Sequence, residues 1–208
     1  MEVAVEYSVE LDNIRKEYGT IVANDNISVK FRKGAVTCIV GENGAGKSTL
    51  MNILYGLEQP TSGDIIINGS RISFNSSRDA IKMKIGMVHQ HFMLVNELSV
   101  LENIILGQEP GNQLVLDYKA ANERLENLGK KYGMPVPLDE KAGMLAVGIQ
   151  QKAEILKVLY RGAEIIILDE PTAVLTPQET EELFVNLRDL ADSGKTIILI
   201  THHLDRKS

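Results

Sequence analysis

The chain has 208 residues, 44% of them hydrophobic, which is enough apolar material for one sizeable core. Its 22 Lys and Arg against 28 Asp and Glu leave a formal charge of −6, which argues against a broad nucleic-acid-binding face. No apolar run approaches the roughly 18–20 residues of a membrane span, and Met1 to Glu6 has no signal-peptide pattern, so a soluble cytoplasmic protein is expected, with any membrane part supplied by a partner.

Residues 3–31 contain short alternating segments, such as Ser8-Val9-Glu10-Leu11 and Asn26 to Phe31, which read as half-buried antiparallel strands with Tyr18-Gly19 in the turn between two of them. Val36 to Val40 is an apolar, β-favouring run. Its Cys38, the only cysteine, is expected in the core. Gly41-Glu42-Asn43-Gly44-Ala45-Gly46-Lys47-Ser48-Thr49 follows and leads into a helical pattern at Leu50, Ile53, Leu54 and Leu57. Gln59 to Gly63 is a turn cluster, Asp64 to Gly69 a strand ending in a tight turn, and residues 72–74 its possible hairpin partner.

From about Arg78 the pattern turns helical and interrupted. Asp117 to Tyr132 carries Ala121, Leu125, Leu128 and Tyr132 at helical spacing, with Gly133 as a stop. A second helix follows the loop Leu145 to Gly148, with Ile149, Ala153, Leu156 and Tyr160 on one face. Glu164 to Leu168 is continuously apolar, as a parallel strand buried on both faces should be. Thr176-Pro177-Gln178-Glu179 combines a capping box with Pro at the first helical position, and its helix buries Leu183, Leu187 and Leu190. Thr196 to Ile200 is another buried strand. The fold class is therefore α/β: a mostly parallel core sheet, an antiparallel β subdomain and an inserted helical subdomain. The division expected is 1–87 with 161–208 for the core and 88–160 for the helical part.

The segment 41–49 explains its own chemistry. Strand, glycine loop and helix in that order are the context of a phosphate-binding loop. Glycines let successive N–H groups turn inward, and the helix N-terminus adds unpaired donors and partial positive charge. Lys47 supplies a mobile full charge for the β- and γ-phosphates, and the Ser48 hydroxyl is placed to ligate Mg²⁺. A nucleoside triphosphate with magnesium is the expected ligand. Asp169-Glu170 ends the apolar strand 164–168, where ligands of open parallel sheets sit. Asp169 can hold Mg²⁺ through water, and Glu170 can orient or deprotonate an attacking water.

Together with Gln90 in Val88-His89-Gln90-His91-Phe92, Leu145-Ala146-Val147-Gly148-Ile149-Gln150-Gln151, Asp169-Glu170-Pro171-Thr172 and His202 after Thr201, the whole chain resembles the nucleotide-binding domain of an ABC ATPase. The resemblance implies that Tyr18 stacks on adenine and that Gly41, Asn43, Gly44, Gly46, Lys47, Ser48 and Thr49 hold the phosphates. It implies that Gln90 senses Mg²⁺ or the attacking water and contacts a membrane subunit, and that His202 is a switch at the γ-phosphate. His203 is expected to face elsewhere. Ala146, Gly148 and Gln150 would meet the ATP of a second ABC domain. The segments 88–95, 159–163 and 173–179 are similar to those of simple-sugar and nucleoside importers, nearest the nucleoside branch, which carry two ABC domains in one chain. The implied partners are that second domain, permease subunits and, indirectly, an extracytoplasmic substrate-binding protein, with no nucleic acid. The implied location is the cytoplasmic face of the membrane. The chain is then expected to be an N-terminal domain cut before its last strand and helices.

One departure stands out. The family's serine at position 146 is Ala146 here. Rival readings are a non-transport ABC ATPase of translation or DNA repair, and a degenerate regulatory ABC domain.

Overall fold

The computed structural model describes residues 6–108, 111–112 and 115–202. His203, expected to face away from the site, lies outside them.

Two strands of 12 residues open the fold, β1 (Tyr7–Tyr18) and β2 (Ile21–Arg32), joined by a turn with Gly19 at φ 61°. They are longer than the alternating segments suggested, because register shifts between Leu11 and Ile14 and again towards Glu17 absorb breaks in the alternation. β3 (Val36–Val40) leads to α1 (Lys47–Leu54). Leu50, Ile53 and Leu54 are buried as expected, but Leu57 lies beyond the helix and is exposed. β4 (Ser62–Ile67) and β5 (Ser70–Ile72) form a hairpin and complete an antiparallel sheet in the order β2-β1-β4-β5. The hairpin partner is thus 70–72 rather than 72–74: Asn68 and Gly69, both left-handed, make the turn immediately after Ile67.

α2 (Ser77–Lys82) precedes β6 (Ile85–Val88), a strand the helical reading of this region did not predict. All four β6 residues are buried. Such a run is too short to show a period, and the neighbouring strand decides its state. α3 (Val100–Ile105), the small pair β7 (Gly111–Asn112) and β8 (Val115–Leu116), α4 (Tyr118–Lys131) and α5 (Val147–Tyr160) follow. α4 is capped by Asp117, whose carboxylate accepts from the Ala120 N–H. α5 is buried almost all round from Gln151 to Tyr160, except at Lys152 and Lys157, and not on one face only. A helix apolar on most sides belongs in an interior. β9 (Ile165–Asp169), α6 (Pro177–Asp192) and β10 (Thr196–Thr201) close the described chain.

The second sheet is parallel, in the order β3-β10-β9-β6. On one face, Ile165, Ile167, Ile198 and Ile200 join α1 and the antiparallel sheet in one apolar cluster. On the other, Ile166, Leu168, Ile197 and Leu199 join α3, α4, α5 and α6. The central strands therefore carry side chains into two cores at period two, which is why they read as unbroken apolar runs. β3 is an edge strand among the described residues, and Cys38 is exposed rather than in the core.

Asn103 fixes the segment between β6 and α3. It is buried, donates to the carbonyls of Val95 (3.0 Å), Leu98 (3.3 Å) and Ser99 (3.0 Å), and accepts from the Val95 N–H at 2.7 Å. Replacing it by alanine strands several buried backbone groups at once. Asn103→Ala is expected to lower unfolding free energy by about 1–3 kcal/mol. A urea titration with unchanged slope and a lower midpoint is the expected result.

Candidate functional site

The site is assembled at the carboxyl ends of the parallel strands. β3 ends at Val40 and hands the chain to the loop 41–46. Gly44 and Gly46 take φ of 80° and 81°, the left-handed region where a side chain is costly. Gly46 is doubly constrained. A Cβ there would collide with the Ala23 carbonyl and lie 2.8 Å from Asn24 Nδ2. Asn24 is buried on β2 and donates from Nδ2 to the Gly46 carbonyl at 3.1 Å, tying the β1–β2 hairpin to the loop. It lies in the stretch 22–25, which the strand reading passed over. Lys47 Nζ donates to the carbonyls of Gly41 and Glu42, each at 2.7 Å, and so curls the loop. No side chain caps the N-terminus of α1, and its first turn holds no acid, so its donors and partial charge face the loop. Asn43 and Ser48 are exposed, Gly41 and Thr49 half-buried.

Strand register brings the acids alongside. Val40 pairs with Thr201, Ile200 with Asp169, and Leu168 with Val88. The ends of β10, β9 and β6 step back by one residue from strand to strand, and the residues just past them meet. Gln90 Nε2 donates to Glu170 Oε2 at 3.4 Å, and His202 Nδ1 lies 3.2 Å from Glu170 Oε1. The Ser48 hydroxyl reaches Asp169 Oδ1 at 3.5 Å. Glu170 has φ 47°, strained for a residue with a long side chain. Its N–H still donates to the Ile200 carbonyl at 3.0 Å.

Ser48 and Asp169 form an oxygen-only pair. Hard Mg²⁺ takes one or two protein oxygens and completes its shell with substrate phosphates and water, so these residues fit it, with Gln90 as a further oxygen donor.

Burial holds the Asp169 carboxyl above the ordinary aspartate range. Glu170 pushes the same way, while Ser48, His89 and Lys47 oppose it.

Tyr18 sits at the tip of the β1–β2 hairpin, 45% exposed, with Lys16 Nζ 4.8 Å from its ring centroid. An exposed aromatic face of this kind can stack on a planar ring. Ala146, Gly148 and Gln150 are apart from this cluster: among the described residues no hydrogen bond joins them to the loop 41–46. They form the start of α5, where Gln150 Nε2 donates to the Leu145 carbonyl at 2.9 Å.

A separate cleft, of about 140 Å³, is lined by His89 and Met93, on either side of Gln90 in the chain. Ile81, Ile85, Met87 and Val158 give it an apolar floor, and Lys84, Lys157 and Arg161 a basic rim. Glu154 accepts from the Met93 N–H at 2.6 Å, and Lys157 Nζ donates to the Met93 carbonyl at 3.3 Å, anchoring the segment after Gln90. Sequence reading gave no hint of it, because its lining comes from separate elements.

Residues 24–173 match the model of the ABC transporter family. The chain is 52% identical over 194 residues to the guanosine import ATP-binding protein NupO of Bacillus subtilis, covering 93% of the chain and 38% of that protein. It is 48% identical to the nucleoside import ATP-binding protein NupA of Lactococcus lactis subsp. cremoris, covering 98% of the chain and 40% of the relative. It spans only about two fifths of these relatives. Among solved structures, a nucleotide-free ATP-binding cassette of an ABC transporter superposes with a TM-score of 0.86 at 27% identity, over 96% of this chain and 83% of that one. A dimeric bacterial ABC transporter cassette superposes with a TM-score of 0.78 at 28% identity, over 94% and 88%.

A carboxyl whose pKa is raised by folding favours the folded state at low pH, and that contribution is lost as pH rises through the folded value. Without divalent cations, Asp169→Asn is therefore expected to unfold at higher temperature than the parent at pH 7. The difference should vanish below about pH 4, where both carboxyl forms are protonated. Calorimetric unfolding across that range checks both statements.

Proposed function

The chain belongs to the ABC transporter family, and from that premise we propose that it binds and hydrolyses ATP to power an importer for nucleosides. The observation that carries the chemistry is the meeting of Gln90 and His202 on Glu170, delivered by three separate strands. A carboxylate held between an amide and an imidazole is suited to orient and deprotonate a water.

The assignments follow from position. The N–H groups of 41–49 and the α1 N-terminus cradle the phosphates, and Lys47 moves from the loop carbonyls onto the β- and γ-phosphates. Tyr18 stacks on the base. Ser48 and Asp169, with Gln90, would hold Mg²⁺, which would supply positive charge against the phosphates. Glu170 accepts the proton of the attacking water, and His202 holds the γ-phosphate edge. A second ABC domain places its own nucleotide against Ala146, Gly148 and Gln150. The cleft lined by His89 and Met93 receives permease subunits, since it joins an apolar floor to the segment that carries Gln90 to Glu170. No described helix is long and apolar enough to cross a membrane, so transport needs such a partner. The resulting location is the cytoplasmic face of the membrane, with a substrate-binding protein outside. The import names of the relatives support the nucleoside branch, with simple sugars next.

Glu170→Gln keeps shape and removes the base. It is expected to leave ATP affinity near normal and to lower hydrolysis at least about 10²-fold. Lys47→Ala is expected to weaken ATP binding roughly 10- to 100-fold, the scale of a lost hydrogen bond to a charged group. Calorimetry for affinity and phosphate release for turnover decide the matter. Turnover surviving in Glu170→Gln, or unchanged affinity in Lys47→Ala, overturns the assignment.

A further inference from the structure

The N-terminus of α5 has a cap it does not make for itself. Ala146 is the N-cap residue and offers no side-chain hydrogen bond. The Ile149 and Gln150 N–H groups turn back to the Ala146 carbonyl at 3.0 and 3.1 Å, whereas the Gly148 N–H, in the first turn, has no carbonyl partner within the helix. That acceptor is the carboxylate of Glu179, which reaches across from α6. Only glycine permits it. A methyl group at position 148 would collide with Glu179 Oε1 and lie 2.8 Å from its Cδ.

The two carboxylate oxygens are divided between the helices. Oε2 belongs to α6, where it accepts from the Thr176 N–H at 2.8 Å and the Thr176 hydroxyl at 2.9 Å, closing the capping box. Oε1 is the one against Gly148. Further along, Lys152 on α5 and Glu182 on α6 form an ion pair at 2.9 Å, and both helices bury their apolar sides in one cluster, so their alignment does not rest on this contact alone.

We propose that Glu179 is an internal anion seated on the α5 N-terminus, and that it sets the ATP concentration at which two such domains pair. The proposal rests on the reading that this N-terminus receives the phosphates of a nucleotide held by a second ABC domain. A helix N-terminus attracts one anion well. An incoming γ-phosphate must therefore displace Oε1 or endure a like charge at close range. A serine at position 146 would cap α5 and donate to the phosphate. Glu179 supplies a cap but has no proton to donate. Its release is simple, because Oε2 stays held by Thr176 while Oε1 swings off Gly148.

The test uses the full chain and steady-state hydrolysis as a function of ATP. Glutamine serves at the third position of a capping box as glutamate does, so Glu179→Gln keeps the α6 cap and removes the charge. The ATP concentration for half-maximal rate is expected to fall roughly threefold or more, the scale of a charge at a helix terminus, with a smaller change in kcat. Ala146→Ser is expected to shift it the same way. The double variant should gain less than the sum of the two, because both act on one N-terminus. A purely structural Glu179 predicts no shift in Glu179→Gln, and an unchanged or higher ATP requirement overturns the proposal. Pairing is checked separately by small-angle scattering of the Glu170→Gln chain with and without ATP. Compaction in ATP together with an unshifted Glu179→Gln sinks the latch alone. No compaction at any ATP concentration sinks the paired-domain reading, and the latch with it.

Discussion

Parallel register is the constraint on which the site depends. Val40 stands opposite Thr201, Asp169 opposite Ile200 and Val88 opposite Leu168, so the parallel ladders bring the ends of β3, β10, β9 and β6 within two residues of one level. A slip of one residue would turn every side chain to the opposite face, and both faces are filled. Isoleucine and leucine on the central strands therefore act at a distance: by fixing register, they set the separation of Glu170 from Gln90 and His202. The chemistry occupies a few exposed atoms, while the positioning is spread through two apolar clusters.

Electrostatics at this edge are finely balanced. Adjacent acids, Asp169 and Glu170, face one lysine and two histidines, and burial disfavours the charge on Asp169. Such a site is poised for a ligand that brings both cations and anions, because each relieves part of the imbalance. The loop is arranged on the same principle. Lys47 spends its hydrogen bonds on loop carbonyls that phosphate oxygens can replace one for one.

What could be read in the sequence was local. The loop 41–49, the capping box at Thr176 and the doubly buried β9 are each contiguous, and their physics acts over a few residues. What could not be read depends on neighbours distant in the chain. β6 is too short to display a period and is a strand because β9 lies beside it. Cys38 is apolar enough for a core, but β3 lies at an edge. α5 looked one-sided from the spacing of Ile149, Ala153, Leu156 and Tyr160, whereas its polar residues Gln151 and Glu154 are buried as well. Asn24 and the reach of Glu179 to Gly148 join residues 22 and 31 positions away from them, and no periodicity announces such bonds.

The left-handed backbone at Glu170 has an evolutionary consequence. A fold that holds glutamate at φ 47° carries a standing penalty for its functional residue, and glycine or asparagine would sit there at ease. Selection for stability and selection for turnover therefore pull against each other at this one position. Once hydrolysis is no longer required of a copy, drift towards a residue comfortable in that backbone is downhill for folding and leaves the phosphate cradle untouched. If Glu170 carries the reaction as proposed, a domain that holds a nucleotide without consuming it lies one substitution away, and that substitution would relieve backbone strain.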